Sequence, residues 1–133
     1  MIATLDTNVL VSGTLFGGPP GTIIDASIDR RFTLALSPAI LDECEKVLSR
    51  STFGLAEAAV EVLVRDMESH AFVVYPSRRH YIVHDGPDDN AIMDCAVQAA
   101  ADVIVSGDRH LTELQKIEGI PVVTPREFAE MIA

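Results

Sequence analysis

The chain has 133 residues, 48% of them hydrophobic, which suffices for a domain with a buried core and excludes a disordered chain. We therefore expect residues 1–133 to form a single domain. No apolar run approaches the length of a membrane span, and the formal net charge of −10 excludes the overall basic surface that most nucleic-acid-binding proteins carry.

Short apolar runs alternate with helical periodicities along the chain. The predicted elements of the first half are a strand over residues 2–5, a short helix over 7–11, a helix over 22–29, a strand over 32–36, a helix over 38–48 and a helix over 56–69. Those of the second half are a strand over 72–75, a helix over 88–100, a strand over 102–105, a helix over 111–117, a strand over 121–123 and a helix over 125–132. This alternation predicts an α/β fold, with a doubly wound, mostly parallel central sheet of four or five strands and helices on both faces.

The first predicted strand ends at Asp6, and a segment rich in glycine and proline follows the short helix. Residues 13–21 therefore predict a flexible loop. This segment lacks the GxxxxGK[ST] pattern that binds phosphates, which excludes a P-loop. The helix that begins at Pro38 carries Glu43 and Glu45 on opposite margins of its apolar face, and helical periodicity does not decide between them.

The helix predicted over residues 88–100 opens with three cap-type residues, Asp88, Asp89 and Asn90. On a helical wheel, Asp89 projects onto the centre of the apolar stripe, whereas Asp94 faces solvent. An isolated buried carboxylate is very costly, so Asp89 must cap the helix, form an ion pair or bind a cation.

Two predicted strands end in aspartates, because Asp6 follows the first strand and Asp108 lies just beyond the strand over 102–105. The carboxyl ends of parallel strands meet at one edge of a sheet, where open α/β proteins bind their ligands. Asp89 and one of the two glutamates extend this acidic group. Carboxylates that converge without bases raise one another's pKa, and a divalent cation among them removes the repulsion. Mg²⁺ or Mn²⁺ suits these oxygen ligands and supports the hydrolysis of phosphodiester bonds.

The two cysteines, Cys44 and Cys95, fall within predicted helices and lack the spacing of a metal site. We expect reduced thiols in the core rather than a disulfide, as in a cytoplasmic protein. The N-terminal residues MIATLDTNVL lack the charged n-region of a secretory signal, which agrees with that compartment.

Four segments of the chain resemble the PIN domain family: LDTNVLVSG, SPAILDECEKVL, DDNAIMDCA and VSGDRHL. They occur in the order and spacing of that family and span nearly the whole chain. Within the family, the chain resembles small prokaryotic proteins assigned as toxins of toxin–antitoxin pairs. The resemblance implies a single PIN-like α/β domain that acts as a Mg²⁺- or Mn²⁺-dependent endoribonuclease.

The resemblance also implies which residues form the site. Carried over by position, the acidic quartet of the family, which binds the metal and serves in catalysis, is Asp6, Glu43, Asp89 and Asp108. The family pattern thereby selects Glu43 over Glu45. Asp88 and Asn90 remain alternatives to Asp89, because the spacing to the last aspartate varies within the family.

Further residues and partners follow from the same resemblance. Asn8 and Ser106 match polar positions that support the site in such proteins. Because the chain is acidic, we expect few contacts to the RNA substrate, with Arg78, Arg79 and Arg109 as candidates. Hydrolysis is expected to leave a 5′-phosphate and a 3′-hydroxyl. Toxins of this family typically pair with a small antitoxin protein and often form homodimers, so we expect both partners here.

Three other functions share part of this pattern. Haloacid-dehalogenase-like phosphatases also place an aspartate after strand one, but they need a second acid two residues later, where this chain has Asn8. A receiver domain needs a phosphoacceptor aspartate after a middle strand, where this chain has Ser37 and Pro38. The third alternative is a PIN fold that binds RNA or protein without catalysis, and a test of metal dependence would distinguish it from an enzyme.

Overall fold

The computed structural model describes the backbone of residues 1–77 and 87–133 and the side chains of residues 1–77 and 90–133. Its strands are β1 (Ile2–Leu5), β2 (Thr33–Leu36), β3 (Ala71–Val73), β4 (Val103–Val105), β5 (Lys116–Ile117) and β6 (Ile120–Val123). Its helices are α1 (Thr7–Leu15), α2 (Gly18–Ile28), α3 (Pro38–Leu48), α4 (Glu57–Ser69), α5 (Pro87–Gln98), α6 (Arg109–Thr112) and α7 (Pro125–Met131), with a 3₁₀ turn at Ser51–Phe53. None of the described helices is long and apolar enough to cross a membrane.

Within the described residues, the strands form one six-stranded sheet in the order β3-β2-β1-β4-β6-β5. Neighbouring strands are parallel except for β5 and β6. The central strand β1 is fully buried at Ala3 and Leu5, which point to one face, and at Thr4, which points to the other, as expected for a strand covered on both faces. The predicted α/β fold with a mostly parallel sheet and helices on both faces is confirmed. The sheet exceeds the predicted four or five strands because the short β5 pairs back on β6.

The predicted flexible loop over residues 13–21 is wrong. The helix α1 continues through Gly13, and α2 begins at Gly18 with prolines in its first turn. Proline is tolerated there because the N–H that it lacks would have no partner at a helix N-terminus. A Cβ on Gly13 would stand 2.6 Å from both Cγ1 of Ile24 and the carbonyl oxygen of Pro20. This glycine therefore allows α1 and α2 to pack closely.

The helix predicted over residues 111–117 has the wrong bounds. It begins earlier, because the side chain of Asp108 caps α6, and it ends at Thr112. Glu118 and Gly119 then adopt φ angles of 51° and 79°, which allow a two-residue hairpin between β5 and β6.

Two other expectations concern the region around α5. The candidate contacts Arg78 and Arg79 lie in the part of the chain that the structure does not describe. Asp94, expected to face solvent, is instead half-buried. The reason is that α5 packs against α3 as well as against the sheet, so more than one of its faces is covered.

The strand order reverses between β1 and β4, where the chain forms a crevice. It leaves β1 towards β2 on one side and reaches β4 on the other side of β1. The register pairs Leu5 with Val105, so these two strands end side by side. In doubly wound sheets, ligands bind in the crevice at such a reversal. The residues that follow Leu5 and Val105 therefore occupy the favoured position for a functional site.

Candidate metal centre

Asp6 is the first residue after β1 and the N-cap of α1. Its backbone N–H donates to the carbonyl oxygen of Val105 at 3.0 Å, which ties it to the end of β4. Its Oδ1 accepts a hydrogen bond from the backbone N–H of Val9 at 2.9 Å. Asp6 is only 4% exposed, so its second carboxylate oxygen also needs a partner.

Ser106 joins the two aspartates that end β1 and β4. Its hydroxyl donates to Oδ2 of Asp6 and accepts a hydrogen bond from the backbone N–H of Asp108 at 3.0 Å. Asp108 in turn accepts a hydrogen bond from the backbone N–H of His110 at 2.9 Å. Because Ser106 is fully buried, these bonds hold both aspartates at the same crevice.

A cavity of about 260 Å³ opens at this crevice. Most of the residues that line it are polar or charged: Asp6, Thr7, Asn8, Glu43, Val47, Arg50, Ile92 and Asp108. Glu43 reaches the cavity from α3 and is half-buried, whereas Glu45 on the same helix is exposed. Asp6, Glu43 and Asp108 of the predicted quartet thus line one cavity. The side chain of Asp89, at the start of α5, lies outside the described residues.

The surroundings of Asp6 disfavour its ionised form. Burial raises the pKa of this carboxyl above its ordinary value, and the nearby charge of Asp108 raises it further. Hydrogen bonds from Ser106 and from the backbone N–H groups of Val9 and Gly107 oppose the shift. The net direction is upward, so the protein alone does not fully stabilise the carboxylate. A cation in the cavity would supply the missing stabilisation.

The residues present fit a hydrated divalent cation. Among the described side chains, no three His, Cys, Asp or Glu residues stand close enough to hold one metal ion. Mg²⁺ does not require such a group, because it keeps several water ligands and is commonly held by one or two carboxylates together with substrate phosphates. Asp6 and Asp108 provide such a pair, and Glu43 lines the same cavity.

Of the remaining predicted residues, some line this cavity and others do not. Asn8 lines the cavity, and Asn90, in the first turn of α5, is half-buried. The side chain of Asp88 falls outside the described part of the chain. Arg109 is not among the cavity residues; its side chain is 90% exposed and lies 3.8 Å from Glu113.

Sequence reasoning missed Arg50, which lines the cavity just beyond the end of α3. Arg50 follows Glu43 by seven residues and Val47 by three. This is the spacing of residues on one side of a helix, and all three residues line the cavity. Arg50 nevertheless lies two residues beyond the end of α3 and has an extended backbone, so the helical period of the sequence did not identify it.

Both cysteines are free and buried, as predicted. Burial raises the pKa of Cys44 to about 12, and the charges of Glu43 and Asp6 add to the shift. Burial also raises the pKa of Cys95 to about 11, although hydrogen bonds with Thr4 and Ser37 oppose it. The thiols therefore remain protonated at neutral pH and make poor nucleophiles and metal ligands there.

Comparisons with known proteins agree with this architecture. A family model described as the PIN domain matches residues 3–110. Among solved structures, the fold is similar to that of VapBC2 from Rickettsia felis bound to a DNA fragment from their promoter, with a TM-score of 0.66 and 15% sequence identity. That match covers 93% of this chain and 98% of the other chain. The comparison with curated proteins gives no match.

Proposed function

The chain belongs to the PIN domain family, whose members are generally nucleases, and we propose that it is a metal-dependent endoribonuclease. It hydrolyses RNA phosphodiester bonds with Mg²⁺ or Mn²⁺, in the cytoplasm, as the toxin component of a toxin–antitoxin pair. PIN nucleases typically use divalent metals, which supports this choice of cofactor.

One observation carries the proposal. Asp6 and Asp108 end two neighbouring parallel strands, share the hydroxyl group of Ser106, and line one cavity with Glu43. These residues come from segments far apart in sequence, and they bring several carboxylates together where the strand order reverses. Such an acidic group in a crevice is typical of a cation site for phosphoryl chemistry.

Each residue has a distinct part in the proposed reaction. Asp6, Glu43 and Asp108 would hold the cation, together with Asp89 by its position in the family. When bound, the cation supplies water activation and stabilises negative charge during hydrolysis. The Ser106 hydroxyl directs its proton to Asp6 and takes the N–H of Asp108, so it keeps both carboxylates oriented. The N–H of Val9 fixes the other oxygen of Asp6.

Histidine chemistry has no support among the described residues that line the cavity, because none of them is a histidine. Attack by the ribose 2′-hydroxyl usually needs a general base and a general acid close to the phosphate. His110 is exposed and is not among the cavity residues. The proposed hydrolysis therefore uses water as the nucleophile and leaves a 5′-phosphate and a 3′-hydroxyl.

The test is cleavage of single-stranded RNA by the purified chain with Mg²⁺, with Mn²⁺ and with EDTA. We expect cleavage only with a divalent cation, and products that carry a 5′-phosphate. Glu43→Gln should reduce the rate by about 100-fold or more, since it removes one charge that faces the cation. Asp6→Asn and Asp89→Asn should have effects of the same order.

Glu45→Gln is the matched control, because Glu45 lies on the same helix as Glu43 but is exposed. It should cleave RNA at the wild-type rate. Cleavage that persists in EDTA, or products that end in a 2′,3′-cyclic phosphate, would contradict the mechanism. A chain that binds RNA but does not cleave it with either cation would be a binding module.

The toxin role implies a protein partner. The similar solved structure is of VapBC2 bound to promoter DNA, which supports a small antitoxin protein and a homodimer as partners of this chain. We expect a small protein encoded next to this gene to co-purify with the chain and to inhibit its cleavage of RNA. Absence of such a neighbouring gene would contradict the toxin role and favour RNA processing.

A further inference from the structure

We propose that Arg50, Phe53 and Phe16 form a contact surface for single-stranded RNA beside the acidic cavity. In this arrangement, Arg50 binds a backbone phosphate next to the bond that is cleaved, and Phe16 stacks on a nearby base. We call these three residues the Arg50 rim. The inference rests on the proposed ribonuclease function and names the residues that place its substrate.

Among the described residues that line the cavity, Arg50 is the basic side chain, whereas Asp6, Glu43 and Asp108 are acidic. Its side chain is exposed and has no ion-pair or hydrogen-bond partner among the described residues. By contrast, the exposed Arg65 lies 3.4 Å from Glu61, one turn away on α4. The guanidinium of Arg50 thus remains available to a ligand at the cavity.

A phosphate that binds at the cavity needs a basic group such as the guanidinium of Arg50, because the acidic chain as a whole repels phosphate. The formal net charge is −10, and three carboxylates face the cavity. A divalent cation would neutralise part of this charge at the reacting phosphate, but it would not hold the neighbouring nucleotide. A guanidinium presents several donors in one plane and binds phosphate oxygens in pairs, so Arg50 suits that contact.

The backbone connects Arg50 to a pair of aromatic rings. The N–H of Phe53, in the 3₁₀ turn, donates to the carbonyl oxygen of Arg50 at 3.0 Å. The ring of Phe53 packs on that of Phe16, with centroids 6.1 Å apart and an interplanar angle of 48°. Phe16 ends α1, whose first residue, Thr7, lines the cavity. The nine residues of α1 span about 14 Å, so the rings lie within reach of a strand that leaves the cavity.

The exposure of Phe16 favours a stacking role. Phe16 is 71% exposed, whereas Phe53, whose ring contacts it, is half-buried and packs against the hydrophobic core. Proteins that bind single-stranded nucleic acids combine cationic groups that follow the backbone with aromatic side chains on which bases stack. Arg50 and Phe16 provide one of each, joined through Phe53.

The experiment measures binding separately from cleavage. The probe is a short oligoribonucleotide that carries 2-aminopurine. It is titrated in EDTA, where the proposed hydrolysis does not proceed, and electrophoresis verifies that it stays intact. Arg50→Gln should weaken binding about tenfold. It should also make the dependence of log affinity on log salt shallower by about 0.7, which is the value for one phosphate contact of a single strand. Arg50→Lys should keep the slope but bind more weakly than wild type.

Phe16→Leu should weaken binding roughly fivefold with an unchanged salt slope, and it should abolish the quenching of 2-aminopurine that stacking causes. With cleavable RNA, both variants should raise KM more than they lower kcat, because they remove binding away from the reacting atoms. The controls are Arg65→Gln and Phe72→Leu, which change an exposed arginine on α4 and a half-exposed phenylalanine on β3. Both should bind the probe as wild type does.

Affinity and salt slope of Arg50→Gln equal to those of Arg65→Gln would overturn the inference. So would normal probe binding by Phe16→Leu together with a loss of dimer in sedimentation, which would assign the rings to a protein contact. If wild type fails to cleave RNA with Mn²⁺, the proposed function fails, and probe binding still decides the role of the rim. If wild type cleaves and all variants bind normally, the inference alone fails.

Discussion

Asp6 uses one carboxylate for two purposes. One oxygen caps α1 through the N–H of Val9, and the other accepts the hydroxyl proton of Ser106. Burial and the charge of Asp108 nevertheless raise its pKa. A carboxyl whose pKa is higher in the folded than in the unfolded state lowers stability once it is ionised. Metal-free protein therefore carries a cost at neutral pH that the proposed cation would offset.

Asp6→Asn should raise the melting temperature in EDTA at neutral pH by roughly 3 °C, because it removes a buried charge and keeps a residue that can cap α1. The same variant should no longer gain stability when Mg²⁺ is added. A ligand that binds only the folded state raises the stability of the protein, and this variant would have lost its site for the ion. Thermal unfolding with and without Mg²⁺ measures both effects. Asp42→Asn, exposed on α3, should match wild type in both conditions. An unchanged gain with Mg²⁺ in Asp6→Asn would contradict the metal site.

The buried thiols predict a loss of stability at alkaline pH. Burial raises the pKa of Cys95 from 9.0 to about 11, so the unfolded state releases the thiol proton first. The contribution of Cys95 to stability is therefore fully present below pH 9 and is lost as the pH rises through about 11. Urea denaturation of wild type and Cys95→Ala over this range, under reducing conditions, measures the difference. A stability difference that stays constant with pH would contradict it.

At the scale of the elements, α1 and α2 show that a glycine can allow two helices to pack closely rather than form a turn. Gly13 lies within α1, where a side chain would collide with α2. Gly21 lies within α2, where an added Cβ would find its nearest atom, the carbonyl oxygen of Gly13, at 3.7 Å. The two glycines thus occur in similar local structure but in different packing environments.

Gly13→Ala should lower the free energy of unfolding by roughly 2–3 kcal/mol, because the new methyl group overlaps the backbone of α2. Gly21→Ala should instead raise it, by up to about 1 kcal/mol, because alanine favours a helix and finds room there. Denaturant unfolding of the two variants gives both values. Equal effects of the two substitutions would show that helix propensity, and not packing, decides the role of Gly13.

At the scale of the whole molecule, acidic charge and an acidic cavity occur together. The formal net charge of −10 makes long-range attraction of RNA unfavourable, so the proposed binding of RNA would depend on a few local contacts. Arg50 lines the cavity, and the exposed Arg109 directly follows Asp108 in the sequence.

RNA binding should therefore depend only weakly on salt. One or two phosphate contacts predict a slope of log affinity against log salt of about 0.7 to 1.4 in magnitude, at about 0.7 per contact. Titration of wild type with single-stranded RNA at increasing KCl, in EDTA to prevent the proposed cleavage, measures this slope. A slope of about 5 or more would show that a basic surface beyond these contacts binds the RNA.

The sequence predicted the elements that local patterns determine. Ser37 caps α3 and Pro38 begins it, as their residue types indicate. The apolar runs at β1 and β4 predict buried strands that precede Asp6 and Asp108, and the structure confirms both strands. The loop predicted over residues 13–21 is wrong, because glycine and proline are typical of loops but here allow close helix packing and begin a helix.

By itself, the sequence determined the alternation of strands and helices, the family and the aspartates at the strand ends, because each depends on residues close together in the chain. Only the tertiary structure decided that Ser106 donates a hydrogen bond to Asp6 and that Arg50 lines the cavity together with Glu43. Ser106 and Asp6 are 100 residues apart, so no local pattern relates them. The sheet brings them together, because parallel pairing of β1 and β4 aligns the ends of two distant strands.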